Sequence, residues 1–410
     1  MDQSGSGVQS LGTAELPAIE GGTPVRSTFL PYARQWVGEK EVEKVTQVLR
    51  SDWITQGPVT REFEKEFARK VGARFAVSVN SGTSALHVAL AAIGIGSPDE
   101  VITSPFTFAA TSNAVLYLNG VPKFADIDPK TYNLDPDKAE ARLSPNTRVI
   151  LPVHFAGQPC NMDRLVAFSC KHRLFLLEDA AHALGATYRG KKIGSIGSVT
   201  IFSFHPVKHI TTGEGGMVVT NNEAVAERAY MIRTHGIDKD AGKRFGKEGN
   251  WFYQMVALGY RFNMSEMQAA LGLCQLEKLD DFLERRREIA GQYQSAFRDM
   301  PEVVTPHVEA DSEHAWHLYT LQIRREALRV GRDRIIEALK AENIGANVHY
   351  IPVHLHPYYR ENLDTKEGDY PIAEGLYRKI LTLPLFPRMT DKDVEDVILA
   401  VKKVIGHYRK

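Results

Sequence analysis

Residues 199–216 read VTIFSFHPVKHITTGEGG, and they decide both the fold and the chemistry that we expect. Residues 199–204 alternate apolar and small side chains, which predicts a short buried strand. His205 and Pro206 end that strand, and the glycines that follow favour a tight turn. Lys208 is thereby placed on a loop just beyond a strand end. A partly dry position favours the neutral, nucleophilic amine that imine chemistry needs, although an ordinary solvated lysine is the alternative.

The composition is that of a globular enzyme. The chain has 410 residues, 43% of them apolar and 24% charged, and its 50 basic and 50 acidic residues give zero net charge. Without a basic excess, no nucleic-acid partner is expected. No apolar run is long enough to span a membrane, and the N-terminus lacks a signal segment. The cysteines at 160, 170 and 274 have no metal-ligand spacing, so we expect no metal site and a cytoplasmic location.

Short apolar runs alternate with helical stretches on the N-terminal side of residues 199–216. Helical spacing is seen at 81–94, 108–118 and 135–143. The predicted strands are 75–79, 100–104, 122–127, 148–155, 174–179, 199–204 and 216–221. Strands that alternate with helices predict an α/β fold with a mostly parallel central sheet. In such sheets ligands bind at the carboxyl ends of the strands.

The ends of the chain differ from this centre. Residues 1–24 are predicted to be a mobile tail, because the segment is rich in small and polar residues. Residues 25–262 are then expected to form the large α/β domain. Residues 263–410 are expected to hold a long helix, at 264–297, and a smaller C-terminal α+β domain.

Within this last part, strands are predicted at 316–323 and 346–351, and helices at 332–342 and 391–408. The three consecutive arginines at 285–287, inside the long helix, are interpreted as a solvated face.

Small and hydroxyl residues open the helix that follows the first sheet strand. Ser81, Gly82, Thr83 and Ser84 lie directly after strand 75–79. Free N–H groups at a helix start, together with hydroxyls, form an anion cradle that suits a phosphate. The alternative is an ordinary helix cap, which serine and threonine often supply.

An acid and a histidine follow the strand at 174–179. Asp179 closes that apolar strand, where a carboxylate is costly unless it has a cationic or hydrogen-bonding partner. A protonated pyridine nitrogen is one such partner, and pairing with Asp179 would make the ring a better electron sink. Capping of the next helix is the alternative. His182, three residues on, is close enough to orient Asp179 or touch a ring, or is simply packed.

Two further residues belong to the same edge of the predicted sheet. Phe108 follows strand 100–104 and is a candidate for stacking on a flat cofactor, with burial in the core as the alternative. Ser203 precedes Lys208 by five residues and is a candidate for the same phosphate. Cradle, aromatic, acid, hydroxyl and amine therefore all follow strand ends, and their convergence indicates one site.

These motifs resemble the DegT/StrS family of pyridoxal-phosphate-dependent nucleotide-sugar aminotransferases, from about residue 25 to the end. The resemblance rests on SDWITQGP (51–58), SGTSALHVAL (81–90), TSPFTFAATSNA (103–114), EDAAHALGA (178–186), SFHPVKHITTGEGG (203–216), GYRFNMSEMQAALG (259–272) and LPLFP (383–387). It implies the aspartate-aminotransferase-like fold (PLP fold type I). It also implies pyridoxal 5'-phosphate (PLP, or PMP in its aminated form) and a homodimer whose active sites are shared across the interface.

The resemblance also implies roles for the candidate residues. Lys208 would form the Schiff base with the cofactor, Asp179 would contact the pyridine nitrogen, and Phe108 and His182 would lie against the ring. The phosphate would be held by Gly82, Thr83, Ser84 and Ser203. Many members have GYNYRM, in which the asparagine reaches the neighbour's phosphate, where this chain has GYRFNM (259–264). Arg261 occupies that position and suits a phosphate, with Asn263 as the alternative.

Subfamily features narrow the expected reaction. Sugar 3-dehydrases of the family carry histidine where this chain has Lys208, which favours transamination. HAWHLY (314–319) and NVHYIPVHLHPYY (347–359) are similar to nucleotide-sugar 4-aminotransferases. His349 and Tyr350 are therefore expected to approach the sugar from the partner subunit, or to form a structural loop.

The expected reaction is amino transfer from glutamate to the 4-keto carbon of a UDP- or dTDP-linked deoxysugar, for amino-sugar and polysaccharide biosynthesis. Alternatives are a 3-keto-sugar or cyclitol aminotransferase, or a non-catalytic regulatory protein on the same fold.

Overall fold

The computed structural model describes residues 16–238 and 252–410. Of the predicted N-terminal tail, residues 1–15 lie outside the described residues. No helix in the described ranges is both long and apolar enough to cross a membrane.

Strands and helices alternate along the first half of the chain. The strands are β1 (Phe75–Val79), β2 (Glu100–Thr103), β3 (Val121–Phe124), β4 (Thr147–Leu151), β5 (Phe175–Asp179), β6 (Thr187–Tyr188), β7 (Lys191–Lys192), β8 (Val199–Ser203), β9 (Gly216–Thr220), β10 (Ile237–Asp238), β11 (Gln254–Met255), β12 (Val303–Val304), β13 (Ser312–Glu313), β14 (Tyr319–Ile323) and β15 (Ile380–Leu383). The α-helices are α1 (Glu39–Leu49), α2 (Pro58–Val71), α3 (Gly82–Ala92), α4 (Ala110–Leu116), α5 (Pro136–Glu140), α6 (Met162–His172), α7 (Glu223–Ile232), α8 (Glu266–Glu277), α9 (Leu279–Phe297), α10 (Arg332–Ala341), α11 (Pro357–Asn362), α12 (Pro371–Tyr377) and α13 (Asp391–Tyr408).

A seven-stranded sheet forms the centre of the molecule, in the order β1-β9-β8-β5-β4-β2-β3. The pairs from β8 through β5, β4 and β2 to β3 are parallel. Strand β9 runs antiparallel to both of its neighbours, so it alone is reversed in this sheet. The predicted α/β class with a mostly parallel sheet is confirmed. The carboxyl ends of β1, β5 and β8 consequently open on the same edge.

Apolar side chains cover both faces of this sheet. Helix α3 is buried on nearly all sides, because it lies between the sheet and helices α4 and α7. The opposite face carries an aromatic cluster in which Phe67 contacts Phe202 and Phe204 at ring-centroid distances of 5.2 and 5.3 Å. Edge-to-face geometry of this kind adds to the stabilisation from burial. A layer on each face fixes the strand ends that position the candidate site.

The C-terminal part forms the smaller α+β unit. Strands β12, β14 and β15 make an antiparallel sheet in the order β12-β14-β15, packed with α10 and α13. The predicted strand at 346–351 is not formed: Asn347 makes one bridge, to Thr382, and the chain then leaves the sheet. The departure carries His349 and Tyr350 away from the sheet and into a cavity.

The long helix predicted at 264–297 is divided in two at Lys278, which caps both α8 and α9. The division lets α8 pack on α1 and α2 while α9 packs on α13.

The interpretation of the three arginines as a solvated face is wrong for Arg286. Its side chain is only 1% exposed. Helical periodicity explains the difference, since three consecutive helix positions point in directions about 100° apart.

Part of the segment predicted to be a tail is held against the C-terminal unit. The buried carboxylate of Glu342 accepts hydrogen bonds from the backbone N–H groups of Ala18 and Val25, both at 2.7 Å. Lys403 donates to the same carboxylate at 3.2 Å. We call residues 16–32 the N-terminal strap. The strap ends at Tyr32, whose ring packs 5.2 Å from that of His349.

Candidate active site

A cavity of about 560 Å³ opens at the carboxyl ends of β1, β5 and β8. Its floor comes from the loops after these strands, and its far wall comes from the C-terminal unit. The lining residues include Tyr32, Gly82, Thr83, Phe108, Thr111, Asp179, His182, Ser203, Lys208, His317, Asn347, His349 and Tyr350. Residues from six separate segments of the sequence analysis therefore meet in one cavity.

Lys208 lies on the loop after β8, at the floor of the cavity. Its backbone N–H donates to the His205 carbonyl at 2.9 Å, which closes the turn. Its Nζ is 3.5 Å from Nε2 of His317. Burial lowers the pKa of Lys208 to about 8, although the nearby Asp179 carboxylate opposes this shift. A substantial neutral fraction is therefore present near physiological pH, as a nucleophilic amine requires.

Asp179 ends strand β5 and is only 4% exposed. Thr111 donates to its Oδ2 at 2.8 Å, and the Ala181 N–H donates to its Oδ1 at 3.1 Å. Since the Thr111 hydroxyl proton is used in this bond, Thr107 must be the donor in the 2.8 Å contact between the two threonine hydroxyls. Burial raises the pKa of Asp179, whereas both hydrogen bonds lower it. No cationic side chain in the described ranges forms a salt bridge with this carboxylate.

His182 is buried on the cavity wall, in its neutral form. The Ala156 N–H donates to Nδ1 at 3.3 Å, so we assign the ring proton to Nε2, which faces the Tyr350 hydroxyl at 3.0 Å. Burial lowers the pKa of His182 well below its ordinary value. Phe108 is 60% exposed, and its ring centroid is 6.0 Å from that of Tyr350. Phe108 is thus at the cavity and not in the core.

The start of α3 borders the floor beside Ser203. Ser81 caps this helix by accepting from the Ser84 N–H at 3.0 Å. The N–H groups of Gly82 and Thr83, in the first turn, have no intrahelical acceptor. A Cβ on Gly82 would lie 2.7 Å from Cβ of Ser203, so a side chain here would fill the space. Ser84 differs from its expected place, because its hydroxyl donates to Asn80 Oδ1 at 2.7 Å and it does not line the cavity.

The placements of four predicted residues need separate comment. Arg261 is exposed, and Asn263 lies near Thr234; neither lines the Lys208 cavity of its own chain. His349 and Tyr350 do line it, in the same chain as Lys208. The expectation that these two approach from a partner subunit therefore differs from the geometry. Neither residue is merely part of a surface loop, since His349 is buried and Nδ1 lies 2.8 Å from the Thr382 hydroxyl.

Tyr32, Thr111, His317 and Asn347 are among the lining residues that sequence reasoning missed. Thr111 and His317 each belong to motifs that were noticed, TSPFTFAATSNA and HAWHLY, but no spacing rule pointed to them. Tyr32 reaches the cavity on the N-terminal strap, 176 positions before Lys208 (208 − 32). Only the tertiary fold brings these residues to the site.

The residues present fit pyridoxal phosphate. A side chain at Gly82 would occupy the space between the α3 N-terminus and Ser203, and helix N-termini bind phosphate groups. The buried Asp179 has acceptor capacity left after its two hydrogen bonds, as a protonated ring nitrogen requires. Lys208 supplies an amine in the same cavity. Phosphate, ring nitrogen and aldehyde would each find a matching group.

Comparison with known proteins agrees with this fit. The DegT/DnrJ/EryC1/StrS aminotransferase family matches residues 35–402. The spore coat polysaccharide biosynthesis protein SpsC of Bacillus subtilis is 50% identical over 381 residues, covering 93% of this chain and 98% of SpsC.

Two solved structures are also similar. The putative sugar aminotransferase Spr1654 of Streptococcus pneumoniae, solved in its PMP-form, superimposes with a TM-score of 0.87 at 33% identity, covering 92% of this chain and 99% of Spr1654. DesI, crystallised in the presence of its TDP-sugar product, gives a TM-score of 0.83 at 31% identity, with 94% and 96% of the two chains covered.

Family match, fold similarity and site geometry lead to one conclusion. The chain belongs to the DegT/DnrJ/EryC1/StrS aminotransferase family and is an aminotransferase that uses pyridoxal phosphate.

Proposed function

We propose that this enzyme transfers an amino group from glutamate to the 4-keto carbon of a UDP- or dTDP-linked deoxysugar, giving a 4-amino sugar. The main support is the shared cavity of Lys208 and Asp179, into which the α3 N-terminus also opens. Support for a nucleotide-linked sugar comes from DesI, which was crystallised with a TDP-sugar product. Support for a polysaccharide pathway comes from the name of SpsC.

The proposed mechanism assigns a task to each residue at the cavity floor. Pyridoxal phosphate, when bound, supplies an electron sink for a carbanion next to the substrate nitrogen. Lys208 would hold the cofactor covalently, and its free Nζ would move a proton to and from the substrate carbon. Asp179 would keep the ring nitrogen protonated. The N–H groups of Gly82 and Thr83, with the Ser203 hydroxyl, would bind the phosphate.

The upper wall is proposed to bind the sugar. Asn347, His349 and Tyr350 line it with neutral groups that donate and accept hydrogen bonds. Burial lowers the pKa of His349 to about 3, so this imidazole is uncharged at physiological pH. Uncharged donors and acceptors suit the hydroxyls and carbonyl of a keto sugar. Phe108 and His182 are assigned to the faces of the cofactor ring.

We also propose that the working enzyme is a homodimer that shares its active sites. Arg261 is exposed and does not contact the Lys208 cavity of its own chain, so its guanidinium is available to the phosphate of a second copy. Asn263, whose buried Oδ1 has no hydrogen-bond partner within residues 16–238 and 252–410, is the other candidate.

A cytoplasmic location is proposed as well, because all three cysteines are free, as expected in a reducing compartment.

The decisive experiment is mass spectrometry of the products formed from glutamate and a panel of 4-keto and 3-keto nucleotide sugars. We expect a mass change that corresponds to replacement of the 4-keto oxygen by an amino group. Amination of 3-keto sugars alone, or of a cyclitol ketone alone, would overturn the 4-keto assignment. Failure of glutamate, with another amino acid active, would overturn only the donor.

A further inference from the structure

A second nitrogen lies beside the Lys208 amine. Nε2 of His317 is 3.5 Å from Nζ, at the outer limit of hydrogen-bond distance. His317 is buried, and its other ring nitrogen, Nδ1, has no hydrogen-bond partner among the residues that the structure describes. Its ring lies 4.4 Å from that of His182 and 5.5 Å from that of His209. Packing on two rings leaves Nε2 directed at the lysine.

The backbone around His317 is held by a buried arginine. Arg286 donates from one nitrogen to the carbonyls of Trp316, His317 and Leu385, at 3.1, 3.4 and 2.9 Å. No carboxylate in the described ranges forms a salt bridge with it. A buried guanidinium that contacts only backbone carbonyls fixes the chain rather than another charge.

The other side of this segment is held by the loop after β4. Ala315 N–H donates to the Gly157 carbonyl at 2.9 Å, and Leu318 N–H donates to the Ala156 carbonyl at 3.2 Å. Gly157 has a φ of +105°, and a Cβ on it would lie 2.8 Å from the Trp316 nitrogen. The segment around His317 is therefore fixed on both sides.

The charges around the pair determine the direction of the hydrogen bond. Burial lowers the pKa of His317 well below its ordinary value, and that of Lys208 only to about 8. At neutral pH the amine is therefore mostly an ammonium group with no lone pair, so a neutral imidazole can only accept through Nε2. The titratable and charged groups that act on this pair are Asp179, His182, His209, His349, Arg286 and, through His209, His314.

We propose that His317 is a catalytic residue that accepts a hydrogen bond from the Lys208 amine whenever that nitrogen is not bound to the cofactor. Arg286 is the positioning residue that holds His317 in place. The hydrogen bond keeps the released amine beside the cavity floor and ready for proton transfer. This inference rests on the proposed role of Lys208 as the amine that moves the proton.

The test measures the titration of Lys208 in the full chain freed of cofactor, a form in which the relative Spr1654 has been solved. Lys208 is modified with a small amine-directed reagent across a pH range, and its peptide is quantified by mass spectrometry. Exposed Lys402 serves as the internal reference. In the wild type, the rate should rise with pH and level off above the midpoint.

Two amide variants of His317 distinguish an effect of the hydrogen bond on the Lys208 midpoint from an effect of side-chain polarity alone. The amide oxygen of His317→Gln reaches the place of Nε2, whereas that of His317→Asn reaches only the place of Nδ1. We expect Gln to keep the wild-type midpoint, and Asn and Phe to lower it by about 0.5–1 pH unit, because the ammonium form loses an acceptor. Equal midpoints for Asn and Gln would overturn the proposal.

The charge-preserving change Arg286→Lys tests the positioning residue. The lysine ammonium ends one bond short of the arginine nitrogen that reaches the three carbonyls, so the backbone contacts should weaken and the Lys208 midpoint should move toward that of His317→Asn. Adding His317→Asn to Arg286→Lys should then shift the midpoint by less than it does in the wild type. Fully additive shifts would show that Arg286 does not act through His317. Thermal unfolding of each variant identifies any that fail to fold.

Failure of this inference differs from failure of the proposed function. The titration needs no substrate, so a chain that aminates no nucleotide sugar would still show the His317 effect. If the enzyme is an active aminotransferase but the Lys208 midpoint is the same in all variants, only the inference about His317 is contradicted.

Discussion

At the scale of single residues, Lys208 is the group on which the chemistry depends. Replacement by alanine removes both the covalent attachment and the moving proton, and we expect Lys208→Ala to lower turnover by about a thousandfold or more. The yellow absorbance of the bound cofactor should be lost or shifted as well. Lys208→Arg keeps a positive charge but forms no Schiff base, so it should be equally inactive. A Lys208→Ala enzyme with near wild-type turnover would contradict the assignment.

Asp179 gives a second prediction at this scale. Asp179→Asn keeps the size but cannot stabilise a protonated ring nitrogen, and we expect kcat to fall by about 10- to 100-fold. Cofactor absorbance should remain visible, because Lys208 is intact. Thr111→Val is the matched control: it removes one donor to Asp179 and should lower kcat by less than about tenfold. Steady-state kinetics of both variants measure these losses. A larger fall in kcat for Thr111→Val than for Asp179→Asn would contradict the role of Asp179.

The residues predicted from sequence were those with a chemical reason to follow a strand end. Lys208, Asp179 and Phe108 all line the cavity, because loops after parallel strands meet at one edge. His317 could not be predicted in this way. It precedes a strand of the C-terminal unit, and only the packing of that unit on the sheet brings it within 3.5 Å of Lys208.

At the scale of elements, the start of α3 is the feature most sensitive to a single substitution. Gly82→Ala would place a methyl group 2.7 Å from Cβ of Ser203, and one of the two must shift. We expect the Kd for pyridoxal phosphate to rise by about tenfold or more, measured by titration of the cofactor-free chain. Unchanged affinity would show that this helix start does not form the phosphate site.

Gly291→Ala is the control for that change. Gly291 lies inside α9, and a Cβ on it would meet nothing within 4 Å. Alanine favours the helix, so the free energy of unfolding should rise by about 0.5–1 kcal/mol while cofactor affinity stays the same.

Helices and strands with a clear periodicity of apolar residues were predicted well. Elements whose form depends on contacts with other parts of the chain were not. The sheet strands β1, β5 and β8 fall where alternating or buried apolar runs indicate them. The segment at 346–351 has a strand-like composition but makes only one bridge. The division between α8 and α9 leaves no mark in the apolar spacing, because Lys278 fits a helix as well as a cap.

At the scale of the whole molecule, the N-terminal strap connects the C-terminal unit to the cavity. Glu342→Gln would leave Lys403, with a side chain only 6% exposed, without its carboxylate. Breaking a buried ion pair on one side costs about 3–5 kcal/mol, so we expect a loss of unfolding free energy of this order. Trypsin should also cleave faster after Arg26, in the strap. Chemical denaturation and limited proteolysis measure the two effects.

Glu337→Gln provides the comparison for that prediction. Glu337 is in helix α10, whose C-terminus Glu342 caps, but its pair with Arg334 is largely exposed. Its removal should change stability by less than about 0.5 kcal/mol and leave trypsin cleavage unchanged. Equal effects of the two substitutions would mean that the strap is not held by the Glu342 carboxylate.

The strap itself shows why composition misleads at this scale. Its residues 16–24 belong to the segment that composition predicts to be a tail, yet the Ala18 N–H donates to Glu342, more than 300 positions away in the sequence. A buried acceptor elsewhere in the chain can order such a segment, and no local pattern reveals it.

The guanidinium of Arg286, which is bound to backbone carbonyls, affects the electrostatic attraction between the enzyme and anionic ligands. Its pKa is lowered by burial to about 9, so it remains protonated at physiological pH and adds positive potential behind the cavity wall. Mobile ions in solution screen a charge inside the protein far less than one at the surface. The interaction of Arg286 with a phosphorylated ligand that is bound in the cavity should consequently persist in concentrated salt, whereas long-range attraction of a free ligand should not.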